Sequence, residues 1–174
     1  MNQLTRLWVW LRRAPHSRGF GIQSPTDYWF VRYVVNEHWP YYQYAELGDS
    51  DDWLRRKLGR LYLRLANWLQ PRLVVTSDYR DYFRAGCRRA EIRPEGDPPA
   101  LVRLTVEEGM PALERAYGKA DARSLLVVEG IWRDQELWRQ VVADERTGTT
   151  FDLYYCGVVM FDKERDKHHY IINF

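Results

Sequence analysis

Glu129 is the residue in this sequence best placed to do chemistry. It follows the apolar run Leu125 to Val128, so it should sit at the carboxyl end of a buried strand, the edge where active sites of α/β proteins gather. A carboxylate there could serve as general acid or base, with Trp132 and Asp134 close by in sequence. The competing reading is a solvent-facing helix cap, favoured because no His, Ser or Cys accompanies Glu129 at the spacing of a triad. His16 and His38 are isolated, and adjacent His168 and His169 on a strand would point to opposite faces and could not chelate one metal. Cys87 and Cys156 form no CxxC pair, although a disulfide between them stays open. Nucleophile-elbow, P-loop and zincin motifs do not occur.

These residues must be positioned by regular elements, and the spacing supplies them. Leu4, Leu7, Trp8 and Leu11 mark one side of a short helix that Pro15 should end. Ser24-Pro25 is an N-cap followed by proline in the first turn, opening a helix that runs towards Trp39 and stops at Pro40. Ser50, with Asp51 and Asp52 behind it, reads as the start of a helix carrying Trp53, Leu54, Leu58, Leu61, Leu65 and Leu69 up to Pro71. Leu73 to Val75 is a buried strand, 79–89 a helix, and 91–94 and 101–106 two further strands. The link between those two is short for a parallel crossover, so they should form an antiparallel hairpin or not pair at all. Helix 107–117, strand 125–128 and helix 136–142 follow, and the chain should close with strands 151–161 and 168–174 in antiparallel pairing.

The chain has 174 residues, 45% of them hydrophobic and 15% aromatic, enough for one domain with its own core. The expected layout is a helical region over 1–70 packed on an α/β core over 71–174. Eight Trp and twelve Tyr are spread along the whole length, which suits core and interface packing better than a ligand platform. With 26 basic and 24 acidic side chains the formal charge is only +2, which argues against nucleic acid as the main partner. Local basic clusters stand at Arg12, Arg13 and Arg18, at Arg55, Arg56, Lys57, Arg60 and Arg64, and at Arg84, Arg88 and Arg89. No apolar run is long enough to span a membrane and the start lacks a signal-peptide core, so no membrane partner is expected and the expected compartment is the cytoplasm.

Leu125-Leu126-Val127-Val128-Glu129-Gly130-Ile131-Trp132 followed by Trp138, then Thr150-Phe151-Asp152-Leu153 to Gly157-Val158-Val159, and finally His169-Tyr170-Ile171-Ile172, resemble the last strands of class I S-adenosylmethionine (SAM)-dependent methyltransferases. Arg18-Gly19-Phe20-Gly21-Ile22-Gln23-Ser24-Pro25 and Arg64-Leu65-Ala66-Asn67-Trp68 look like one bacterial branch of that family. The similarity touches about two-thirds of the chain, with no motif decisive alone. It implies a Rossmann-like three-layer α/β sandwich with N-terminal helices and a C-terminal antiparallel hairpin. The sheet should be reduced, because a fourth strand and the helix between the second and third strands lack the residues to form them.

The family's acidic-x-Gly-x-Gly turn is represented here by Val75-Thr76-Ser77-Asp78-Tyr79-Arg80-Asp81, and no glycine occurs between Pro71 and Ala85. A ligand approaches a strand-to-helix turn closely only where side chains are absent, so Tyr79 and Arg80 should fill the space of a nucleoside. If SAM binds, the resemblance assigns it to Thr76, Ser77, Asp78 and Glu95, the last in the place of a ribose-binding acid; a turn residue beside Gly96 and Pro98 is the alternative for Glu95. The first expectation is therefore a methyltransferase relative without activity or cofactor, acting as a binding module with a possible homodimer. The second is an active small-molecule methyltransferase with an unusual SAM pose. The third is phosphate or RNA binding by the basic helix 55–64.

Overall fold

The computed structural model describes residues 3–17, 19–96 and 100–174. Arg18 of the first basic cluster and Pro98 beside Glu95 lie outside the described residues. Helix α1 spans Gln3–Arg12, and Val9 is its one buried residue. The stripe Leu4, Leu7, Trp8 and Leu11 faces outward, each side chain more than half exposed. Helix α2, Pro25–Phe30, starts as the sequence predicts, the Ser24 hydroxyl accepting the Asp27 N–H, and continues as a π-helical turn over Val31–Val35. Helix α3, Trp53–Leu69, starts two residues later than the Ser50 reading. Asp52 is its N-cap because one carboxylate oxygen accepts the N–H groups of both Leu54 and Arg55, at 2.7 and 2.9 Å. It ends at Gln70 in the left-handed region (φ 49°), just before Pro71.

Strand β1 (Leu73–Val75), helix α4 (Arg80–Gly86), β2 (Glu91–Arg93), β3 (Leu101–Thr105), α5 (Gly109–Tyr117), β4 (Leu125–Glu129), α6 (Gln135–Ala143), β5 (Thr150–Asp152), β6 (Cys156–Met160) and β7 (His169–Ile171) complete the order. The sheet runs β2-β1-β3-β4-β6-β5-β7, with β1 to β4 parallel, β6 antiparallel to both neighbours, and β7 parallel to β5. Strands β2 and β3 do not pair. They flank β1 on either side and run parallel, two strand spacings or about 10 Å apart, a gap within reach of the seven-residue 94–100 link at up to about 3.3 Å per residue. No helix is found between them among the described residues.

The C-terminus departs from the single closing hairpin. The 151–161 run breaks at Tyr154, which adopts φ 69° and donates its N–H to Asp152 Oδ1 at 2.8 Å, so two strands form where one was expected. These two, β5 and β6, make the antiparallel hairpin, and β7 pairs with the outer side of β5, two strands away from β6. The sheet expected to be reduced thus holds seven strands.

Alternation along the strands sorts the core into two layers. Leu101, Leu125, Val127, Phe151 and Val158 face α2, α3 and α4. Val102, Leu104, Leu126, Val128 and Val159 face α5 and α6. The chain is therefore α/β with helices on both faces of a mixed sheet, a Rossmann-like layered arrangement. Helices α3 and α4 approach so closely that a Cβ on Gly86 would collide with the Leu63 carbonyl oxygen. No helix among the described residues is long and apolar enough to cross a membrane.

Candidate functional site

Open α/β sheets bind ligands in the crevice outside the carboxyl ends of the strands, where successive connections diverge to opposite sides. Here that point lies between β1 and β3, since the chain passes from β1 outward to β2 and then returns beyond β1 to β3 and β4. The β1-to-α4 turn, residues 76–79, overhangs it. Thr76 is buried and shapes the turn, its hydroxyl donating to the Asp78 carbonyl at 2.8 Å and accepting the Asp78 N–H at 3.2 Å. Ser77 is exposed. Tyr79, immediately before α4, adopts φ 58°, ψ 26°, the left-handed conformation that a glycine would enter freely.

The Tyr79 side chain turns inward and is 5% exposed. Its ring packs edge-on against Tyr62 of α3 at 4.8 Å, the Arg103 guanidinium from β3 lies 4.9 Å from its centroid, and its hydroxyl reaches Glu129 at the end of β4 at 3.5 Å. One phenol therefore spans the carboxyl ends from β1 to β4. Of the two side chains expected to crowd this bend, Tyr79 does so, while Arg80 is exposed.

Beneath Tyr79 lies a polar cluster whose main members the sequence reading missed. Arg103 donates through Nε and Nη2 to Glu129 Oε2 at 2.9 and 2.6 Å, and the Tyr62 hydroxyl donates to the same oxygen at 2.8 Å. The Arg103 and Glu129 side chains are only 5% and 14% exposed. Burial works against the Arg103 charge, but Tyr62 and Glu129 outweigh it and hold its pKa above the ordinary guanidinium value. Burial, with the Glu129 charge behind it, pushes both the Tyr62 and Tyr79 phenols up, so they remain donors. Glu129 is thus neither a solvent-facing cap nor an open base: internal donors occupy it. The helix cap beside it is Asp134, which accepts the Leu137 N–H at 2.9 Å. The one sequence signal for the cluster was a charged residue inside the apolar run Leu101-Val102-Arg103-Leu104, which a buried strand can hold only beside a partner.

The outer side of the turn is closed as well. Arg55 of α3 holds Asp78 with two hydrogen bonds, 2.6 and 2.8 Å, also reaches Asp51 at 3.0 Å, and lies 4.4 Å from the Tyr79 ring centroid. Hydrogen bonds from Arg55, reinforced by the Tyr79 N–H, lower the Asp78 pKa to about 2. A cavity of about 370 Å³ outside this pair is lined by Asp51, Arg55, Ser77 and Asp78. Thr76, Ser77 and Asp78 thus share one turn, whereas Glu95 is exposed just past β2 and does not line that cavity. No family model, curated protein or solved structure matches the chain.

Elsewhere, Cys87 and Cys156 are buried free thiols, and burial pushes the Cys156 thiol well up, away from nucleophilic use. No group of three or more metal-ligating side chains occurs among the described residues. At the β1-to-α4 turn, Tyr79 carries a buried ring tied to three elements.

Proposed function

We propose that this chain is a methyltransferase-like scaffold without methyltransferase activity, serving as an interaction module. The observation that carries the reading is Tyr79, a left-handed residue at the β1-to-α4 turn whose ring fills the crevice over β1, β3 and β4. Supporting it, Glu129, the best-placed acid or base, is already engaged through Oε2 by Arg103 and Tyr62. Two parallel strand–helix units and the β5/β6 hairpin also suit the layout that the resemblance implies. The surface for interaction is α1, whose outward stripe Leu4, Leu7, Trp8 and Leu11 has the spacing of a helix-packing face. Such a stripe is self-complementary about a two-fold axis, which makes a second copy of this chain its occupant.

Titration calorimetry with SAM and S-adenosylhomocysteine tests the first part. No heat of binding is expected for either, and micromolar affinity for one of them would overturn the reading. Light scattering of the same sample should give a dimer that Leu7→Glu converts to monomer. A monomeric parent protein would remove the second copy as the occupant of α1.

A further inference from the structure

A second cavity, of about 760 Å³, lies between one face of α3 and the segment 36–45. Its size is within the range of small-molecule sites, roughly 300–1,000 Å³. Arg56, Lys57, Arg60 and Arg64 line it at helical spacing, so four cations stand on one face of α3. Like charges three and four residues apart on a helix repel. None of the four forms an ion pair among the described residues, although Arg55, one position away, is paired twice. Arg64 is satisfied in another way, donating to the Val34 and Val35 carbonyls at 2.7 and 2.9 Å and to the Tyr44 hydroxyl. Lys57 and Arg60 lie over the Phe174 and Tyr44 rings, which carry no charge. Arg56, Lys57 and Arg60 therefore form no ion pair among the described residues, although Arg56 also donates through Nη2 to the Asp51 carbonyl at 3.0 Å.

Two independent observations point to a ligand. The Nε groups of Arg56 and Arg60 are buried without a hydrogen-bond partner, and so is the amide nitrogen of Asn36, a lining residue only 9% exposed. Buried donors without acceptors are costly, so these nitrogens and cations around one cavity describe a site for an acceptor-rich anion. Among the described residues, the one acidic side chain lining the cavity is Glu37, which accepts a hydrogen bond from Tyr41 at 2.7 Å. At the rim, the Trp39 ring is 74% exposed and makes no ring contact among the described residues. An exposed indole beside an anion site is suited to stacking on a planar group.

We infer that this cavity binds a small phosphate ester with a planar ring, of the mononucleotide class, through Arg56, Lys57 and Arg60 for the phosphate and Trp39 for the ring. A single half-open cluster of three cations that form no ion pair among the described residues, and a net charge of only +2, favour a small ligand over an RNA strand, which needs a positive track several phosphates long. The site shares no residue with the crevice under Tyr79, and SAM carries no phosphate, so the two readings stand or fall separately.

The experiment is calorimetry of the full chain with AMP and UMP, with inorganic phosphate and adenosine as separate arms. A mononucleotide should bind at least about tenfold more tightly than either fragment, because both halves of the site contribute. Affinity should fall as salt is raised. Arg60→Ala and Lys57→Met should each weaken binding by about tenfold or more, while the melting temperature holds or rises because a repulsive charge is gone. Trp39→Ala should weaken AMP but leave phosphate unchanged. Absence of mononucleotide binding at millimolar concentration, equal affinity in Arg60→Ala, or adenosine binding as well as AMP would overturn the inference. So would a single-stranded oligouridylate binding much more tightly than UMP, which would make this face an RNA track. A melting temperature that drops in Arg60→Ala with unchanged affinity would make the cations structural and overturn it too.

Discussion

Tyr79 holds a conformation that L-residues avoid, at a cost of about 1–2 kcal/mol, and it persists because the ring's burial against Tyr62 and Arg103 outweighs that cost. Two truncations separate the terms. Tyr79→Ala loses the ring and keeps the strain, so urea denaturation should show a loss of about 3–5 kcal/mol. Tyr79→Gly loses the same ring but relieves the strain, and should be the more stable of the two by about 1 kcal/mol, against the usual rule that glycine is the worse replacement. If Tyr79→Gly proves the less stable variant, the left-handed turn is not what the residue supplies. The same comparison bears on function, since the conformation is the one glycine favours while the side chain fills the crevice.

Among the elements, the Arg103–Glu129 pair ties β3 to β4 and, through Tyr62, ties both to α3. Removing one partner of a buried pair leaves the other charge uncompensated, so Arg103→Met or Glu129→Leu alone should cost about 3–5 kcal/mol. The double variant should recover much of that loss, and adding Tyr62→Phe, which removes the orphaned hydroxyl, should recover more. Additive losses in the denaturation midpoints would mean the three residues act independently. This cluster also shows the limit of what the sequence made legible. Helix α3 and strands β1 and β4 were readable because each repeats its apolar residues at its own period, 3.6 or continuous. The site was not, because Tyr62 lies 67 residues before Glu129 and Arg103 lies 26 before it, separations that leave no periodic trace. The division of 151–161 into two strands was hidden for a different reason: the break falls on Leu153-Tyr154-Tyr155, residues of strand type, and depends on Tyr154 entering φ 69°. At Asp52 the rule was sound but three capping residues stood in a row, and only the geometry selects among them.

For the whole molecule, a formal charge of +2 conceals an uneven distribution. Arg13, Arg55, Arg103, Arg146 and Arg165 each hold a carboxylate, whereas Arg56, Lys57 and Arg60 share one face of α3 without any among the described residues. Burial first, then the Arg64 charge, lowers the Lys57 pKa from 10.5 to about 8. The unfolded chain therefore keeps a proton on Lys57 that the folded chain has given up between pH 8 and 10.5, and folding stability gains from this residue as pH rises through that window. Cys156 and the buried tyrosines oppose it, since burial raises their folded values and costs stability as pH climbs past their unfolded ones. Comparison with Lys57→Met cancels those common contributions. Denaturation at pH 7.5, 9 and 10.5 should show the parent protein gaining on Lys57→Met at each step, with the variant more stable at the lowest pH, where the buried ammonium is still charged. An anion that binds the charged form would narrow the gap at pH 7.5 and do little at 10.5, so repeating the series with saturating AMP joins the stability of α3 to the occupancy of the cavity beside it.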